Sequence, residues 1–498
     1  MEMQFDRNPV PYLKKLADNI RTQEETLELR LPDGLPDIGR VLGAWGQVVI
    51  RGKEWNSDDV VLSCGVMAWV LYTPEDGEGV RSVEAWIPFS MRWDLPETSY
   101  DGKITASCML KNIDARSTSA RKLMLRAVLC GDIKLWQAEQ AQLAMPRELP
   151  SDIRLLTSEY PVLLPKETGE KSFLLEEEIS ISNGAKPEKL LYYTLRPEIT
   201  DKKVMAGKVV FRGNGMLHLL YRGEDENLYT WDWELPFSQY ADLEGEYSQD
   251  ATLDVIPSVT ALDLSVDEAG QLQLKAGLLG QYLLSDRSVI SVTEDAYSPN
   301  RKLELAFEQL ALPAVLDRLE NNLQVQITAQ TEARQVVDVT FFPSCAQPTY
   351  TDSGIRALIP GFFQMLYYDL SGDLRSATVP WEESWDFTGD RDNSAKVHIL
   401  TAGRPQAMIG AGTVNLRADM TAETVVSAGK GITMLTGMEV GEAEKPDPNR
   451  PSLILCRKGK RSLWDVAKET GSTVESILMT NDLESEPEES RVLLIPVK

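Results

Sequence analysis

One block of strand, acidic turn and second strand occurs three times along this 498-residue chain, and it confines the fold more than any other feature. In the first copy VMAWVLY (66–72) leads through TPEDGEG to VEAWIPF (83–89). In the second, GMLHLLY (215–221) leads through RGEDENL to WDWELPF (231–237), and in the third, GFFQMLY (361–367) leads through YDLSGDL to ATVPW (377–381). Tyr72, Tyr221 and Tyr367 correspond, at steps of 149 and 146 residues. Pro88, Pro236 and Pro380 correspond too, at steps of 148 and 144. A period this long means whole domains, because solenoid units run about 20–50 residues.

A later block follows in each copy: Arg121–Ala127, Gly270–Ala276 and Gly412–Ala418 align residue for residue. Leu123, Leu125 and Ala127 alternate with longer or polar residues, which is the period of a half-buried strand. In the first block Ala85 with Ile87, Trp233 with Leu235, and Ala377 with Val379 share a face. Polar turns with glycine or asparagine suit hairpins, and a proline near a strand end suits an edge or a terminating strand. Two antiparallel sheets packed face to face bury such strands most simply. The expected fold is therefore mainly β: three tandem antiparallel β-sandwich-like repeats, at 25–150, 165–297 and 318–440.

Helix is expected at the two ends. Pro11–Thr22 reads as a short amphipathic helix in an N-terminal arm, residues 1–24, and Pro36–Leu42 as a short turn. Proline- and charge-rich stretches at Gln137–Glu170, Ala296–Arg318 and Gly441–Arg450 read as linkers.

Composition narrows the function classes. The chain is 43% apolar and 26% charged, the balance of a folded protein. A net charge of −25 repels free nucleic acid. Cys64, Cys108, Cys130, Cys345 and Cys456 have no metal-ligand spacing, and their odd number suggests reduced thiols in a cytosolic compartment. The N-terminus lacks an apolar secretory core, and the longest uncharged run, Val60–Pro74, is too short to span a bilayer. Only two histidines exist. His218 takes the strand position that Trp69 and Gln364 hold in the other copies, and it reads, with His398, as a packing residue. Triad and His/Cys metal chemistry therefore lack a base or a ligand set, and no GxxxxGK[ST] is present. No catalytic residue, metal or cofactor is expected.

Residues 451–498 stand apart. Leu453–Arg457 is a short apolar strand, Lys458–Ser462 a turn, and Leu463–Lys468 the start of a helix capped by Ser462 and ended by Gly471. A second helix follows, capped by Ser472 or Thr473 and closed by Asn481, Asp482 and Leu483, and Val492–Pro496 is the return strand. The order is βααβ, and this sequence resembles the LysM pattern over its whole length. Two segments depart from that pattern, Lys460–Ser462 and Glu489–Arg491, and both border the groove where LysM domains hold N-acetylglucosamine polymers. Glycan binding is thereby put in question.

Residues 29–52, LRLPDGLPDIGRVLGAWGQVVIRG, with VLYTPEDG and VEAWIPF after them, resemble the SPOCS domain of spore-coat-associated proteins. Repeated SPOCS domains with one C-terminal LysM domain make up the SipL-like family of coat morphogenetic proteins. The first repeat and the C-terminal module carry that resemblance best. It implies a non-enzymatic scaffold in the mother-cell cytoplasm, at the forespore surface. The LysM-like end would dock onto the morphogenetic ATPase of the coat basement layer, and the repeats would contact that layer or other coat proteins. No nucleic acid and no membrane insertion are implied. The alternative is a peptidoglycan-binding LysM protein of the cell wall. The module carries −1 while the rest carries −24, a contrast suited to an acidic partner. The expected binding residues are Lys458, Lys460, Arg461, Ser462, Leu463 and Trp464 on one side. Ile477, Leu478, Asn481, Asp482 and Leu483 lie on the other.

Overall fold

The computed structural model describes residues 1–498 except 57, 77–78, 96–101, 182–184, 313–314, 352–353, 389–393, 428–430, 444–450 and 498. The chain opens with β1 (Phe5–Arg30) and runs through a meander of β2 (Ile38–Trp55), β3 (Asp59–Pro74) and β4 (Arg81–Asp94). It returns through β5 (Gly102–Ser119) and β6 (Lys122–Pro146). The sheets are β1-β6-β5 and β2-β3-β4, both antiparallel. The same order recurs in β7 (Arg154–Ile179), β8 (Pro187–Met205), β9 (Lys208–Gly223), β10 (Leu228–Asp242), β11 (Thr252–Val266) and β12 (Leu272–Tyr297). These strands pair as β7-β12-β11 and β8-β9-β10.

The third unit keeps the order but splits its long strands. β13 (Arg301–Leu310) and β14 (Val315–Ala329) lead in, and β21 (Val414–Ser427) and β22 (Ile432–Ala443) lead out. Between them lie β15 (Gln335–Pro343), β16 (Gln347–Thr351), β17 (Gly354–Tyr368), β18 (Leu374–Thr388), β19 (Ser394–Ala402) and β20 (Gln406–Ile409). β17 is the hub of one sheet, with β15, β16 and β18 on it, while β21 pairs β14, β19 and β20. The chain ends in β23 (Leu453–Arg457), α1 (Leu463–Thr470), α2 (Val474–Thr480) and β24 (Val492–Pro496).

The tyrosine-ended strand of each sequence copy is the middle strand of its meander, and Tyr72, Tyr221 and Tyr367 are all buried. Along β3 the residues Val60, Leu62, Cys64, Val66, Ala68, Val70 and Tyr72 join the core that both sheets of the first unit share. Trp69 and Leu71 point the other way, and they are buried as well. Their cover comes from the second unit: Trp69, Leu71, Trp45 and Val49 belong to one cluster with Leu191, Tyr192, Leu219 and Tyr221. A strand covered on both faces loses its polar alternation, which is why 66–72 reads as a continuous apolar run.

The positions that correspond in sequence do corresponding work. Trp69 packs on Tyr193 of the second unit, with ring centroids 4.7 Å apart. His218 reaches the third unit, its Nε2 3.2 Å from Asp338 Oδ2 on β15. Gln364 of the third unit donates from Nε2 to the Ala44 carbonyl of the first at 2.8 Å. First touches second, second touches third, and third touches first, so the meanders form a closed ring. At the His218 joint, Nδ1 lies 2.8 Å from Asp232 Oδ1, and Arg404 holds the other oxygen of Asp232 at 2.8 Å. Burial drives the Asp338 carboxyl up to about 7.

The long ribbons account for the main differences from the sequence reading. The amphipathic helix expected over Pro11–Thr22, and with it the helical arm at 1–24, is absent: β1 is a strand of 26 residues, paired with β6 almost throughout. Tyr12, Ala141 and Leu143 of the first ribbon pack with Val162, Leu164, Ile290 and Val292 of the second and with Leu310 and Met434 of the third. This assembly of ribbons overrides a helical period that spans only three turns. Two of the expected linkers lie in the same assembly. Gln137–Glu170 is largely the end of β6 and the start of β7, and Ala296–Arg318 is largely β13 and the start of β14. The expected repeat starts at 25, 165 and 318 accordingly fall inside strands, and β2 begins within the expected turn at 36–42. Pro161 and Pro165 of the expected linker stand in β7, and Pro9 and Pro11 in β1; both are edge strands and need not donate every ladder hydrogen bond. The linker expected at Gly441–Arg450 includes residues outside those described.

Candidate functional site

The C-terminal module is built by its caps. Ser462 accepts from the Asp465 N–H through its hydroxyl at 3.0 Å, and the Asp465 carboxylate accepts from the Ser462 N–H at 3.0 Å, a reciprocal capping box. Hydrogen bonds from the Ser462 hydroxyl and the Ser462 N–H hold the Asp465 carboxyl below the usual carboxylate range. Gly471 ends α1 at φ 65, a left-handed turn that suits glycine. Thr473 caps α2, so Ser472 is left to bond the Pro496 carbonyl through its own hydroxyl. Asn481 ties α2 to β24: its amide donates to the carbonyls of Ile477 and Leu494, and its oxygen accepts from the Leu494 N–H. The helices cover one face of the β23–β24 hairpin and bury Leu463, Val466, Ala467, Ile477, Leu493 and Ile495.

The module is seated on the tip of the second ribbon. Trp464 donates from Nε1 to Asp295 Oδ2 at 2.8 Å, and Lys468 pairs with the same carboxylate at 2.7 Å. The Trp464 ring meets Tyr297 edge-on at 4.7 Å, and the Tyr297 hydroxyl donates to the Ser472 carbonyl at 3.1 Å. Asp295 and Tyr297 are the last residues of β12, so the ribbon that joins the three units also orients this module.

The structure brings the residues expected to bind a partner together, and uses most of them internally. Lys458 is buried and paired with Glu486 at 3.0 Å. The Arg461 guanidinium pairs with Glu469 and donates to the carbonyls of Arg457 and Lys458, which pins the turn. Ser462 is the cap, Leu463 and Ile477 are core, and Leu478 and Leu483 pack against that core. Trp464 faces the ribbon, and Asn481 is the tie between α2 and β24. Lys460 and Asp482 are exposed.

Sequence reasoning missed a different surface. Leu453 and Leu455 on β23, with Val492 and Leu494 on β24, are exposed on the hairpin face turned away from the helices. Leu455 lies directly opposite Leu494 and is 71% exposed. The signal was present in LILCR and VLLIP, because a two-stranded sheet with one covered face should alternate polar residues on the other, and these strands do not. The four side chains make one exposed apolar face. Arg457 continues that face beside Val492, and Lys460 lies in the turn after it.

Among the described residues, no group of three or more His, Cys, Asp or Glu is placed to hold a metal ion. No helix among them is long and apolar enough to cross a membrane.

Residues 186–267, which span β8 to β11 of the second unit, match the family model described as SipL, SPOCS domain. The match supports a SipL-like family, a sporulation-related role and association with the spore coat. The sequence resemblance rested chiefly on the first repeat, whereas the family match falls on the second. No curated protein and no solved structure matches the chain.

Proposed function

We propose that this chain is a non-enzymatic scaffold of spore-coat assembly. In this reading three tandem β-sandwich repeats of the SPOCS kind carry a LysM-like βααβ module. The module docks onto the morphogenetic ATPase of the coat basement layer at the forespore surface of the mother cell. The observation that carries the docking step is the exposed face of Leu453, Leu455, Val492 and Leu494. Most of the other expected contact residues are spent on the module's own fold and on the ribbon tip, and this apolar face is left for a partner. Apolar contact there supplies affinity, while Lys460 and Arg457 at its edge favour an acidic partner. The family match on the second unit supports the coat context.

The test is a titration of the full-length protein with the purified coat ATPase and, in parallel, with chitin and muropeptide oligomers. Saturable binding to the ATPase is expected, weakened at least tenfold by Leu455→Asp and less by Lys460→Glu. Glycan binding without ATPase binding would overturn this reading in favour of a cell-wall LysM protein.

A further inference from the structure

Four of the five cysteines, dispersed in sequence, meet where the first unit touches the third. Cys64 on β3 and Cys108 on β5 face each other across the first unit, with sulfurs 3.9 Å apart. Cys130 on β6 is only 1% exposed. Cys345, between β15 and β16 of the third unit, approaches it and directs its thiol to the Cys130 carbonyl at 3.6 Å. Cys108 and Cys345 both line a cavity of about 830 Å³ at the junction of the three units, with Asp132, Lys134, Arg318 and His398 on the same wall. All four are free thiols, and Cys456 on the C-terminal module is remote from them in the fold.

Each pair sets a fully buried thiol, Cys64 or Cys130, beside one that lines the cavity, Cys108 or Cys345. The cavity-lining thiol meets an entering oxidant first, and its buried neighbour is placed to resolve the product. No metal-holding group exists among the described residues, so ligation is not what the cluster offers.

We propose that these four thiols form an oxidative modification site, which a hydroperoxide entering through the junction cavity closes as Cys64–Cys108 across the first unit and Cys130–Cys345 between the first and third. In each pair the cavity-lining sulfur, Cys108 or Cys345, attacks a peroxide oxygen as its thiolate, and the O–O bond breaks. The sulfur becomes a sulfenic acid, and the leaving hydroxide or alkoxide takes up the thiol proton. The partner thiol then attacks the sulfenic sulfur, an S–S bond forms, and water leaves. Two electrons pass from each thiol pair to one peroxide, which ends as water with water or an alcohol. Closing Cys64–Cys108 needs the sulfurs to approach from 3.9 Å to about 2.05 Å, within reach of side-chain rotation. The second bond spans 215 residues of chain, so it adds a covalent tie between the first and third units of the ring.

The test uses the full-length protein, folded and treated with hydrogen peroxide, then unfolded directly into iodoacetamide, digested without reduction and mapped by mass spectrometry. Cys64 and Cys108 are expected in one linked peptide pair, and Cys130 and Cys345 in another. Reductant should restore iodoacetamide labelling at all four, and the oxidised form should melt at a higher temperature than the reduced. A Cys345→Ser variant should lose the Cys130 link and keep Cys64–Cys108. If all four thiols remain fully labelled at a peroxide dose that oxidises Cys456, the proposal fails. It fails equally if the four link in any other pairing, or if Cys130 is found in a disulfide in the Cys345→Ser chain.

Discussion

Asp295→Ala should weaken the seating of the C-terminal module on the ribbon tip without unfolding either. The Asp295 carboxylate is 20% exposed and accepts from both Trp464 and Lys468, at 2.8 and 2.7 Å. Lys468 is 42% exposed, so solvent screens that pair and it contributes only about 0.5 kcal/mol. The indole N–H donates to a charged, mostly buried acceptor, a bond worth about 1.5–3 kcal/mol. The two together come to about 2–3.5 kcal/mol, or roughly 30- to 400-fold on the docking equilibrium. The Tyr297–Trp464 ring contact and the Tyr297 bond to Ser472 remain, so docking should weaken rather than vanish. Hydroxyl-radical footprinting reads the outcome directly, because Trp464 is half-buried against the ribbon when docked. Its oxidation should rise severalfold in Asp295→Ala, and less in Asp295→Asn, which keeps an acceptor for the indole. Oxidation footprints over β1 to β11 should not change. An unchanged Trp464 footprint in a folded Asp295→Ala protein would refute the reasoning, since it would mean that apolar contact alone seats the module.

Three further outcomes follow from the geometry. His218→Ala removes a hydrogen-bond partner from the buried Asp338, and leaving a buried polar group unsatisfied costs about 1–3 kcal/mol. Chemical denaturation should show that loss, and His218→Gln, which can still donate, should recover part of it. Gly471→Ala forces a side chain into the left-handed region at φ 65 and should destabilise the module by about 1 kcal/mol, measured as faster hydrogen exchange in α1. The depressed Asp465 carboxyl stabilises α1 above the ordinary carboxylate value of about 3.9, and that contribution, about 0.5–1 kcal/mol, is lost as pH falls through the lower folded value. Amide exchange in α1 at pH 6 and at pH 2.5 should therefore separate wild type from Asp465→Asn at the higher pH and converge at the lower.

Taken alone, the sequence was informative where local chemistry decides the outcome. The tyrosine-ended strands, their acidic turns and the caps Ser462, Gly471 and Asn481 are set by side-chain alternation, turn residues and short-range hydrogen bonds, which need no knowledge of distant neighbours. It was uninformative where a residue's partner comes from another unit. Pro11–Thr22 carries a helical period, yet it lies in a ribbon whose apolar side is completed by Val162, Ile290 and Met434. Lys458 and Arg461 read as free cations, yet Glu486 and Glu469 neutralise them. Trp464 could be called core or contact, and only the position of Asp295 and Tyr297 at the end of β12 decides that it is a contact within the chain. The thiols of Cys130 and Cys345 lie 215 residues apart, and nothing in their spacing foretells that they meet. Periodicity and capping are properties of a few consecutive residues, so the chain states them directly. Burial, charge pairing and the ring of three units depend on which surfaces arrive at one another, and only the tertiary structure decides that.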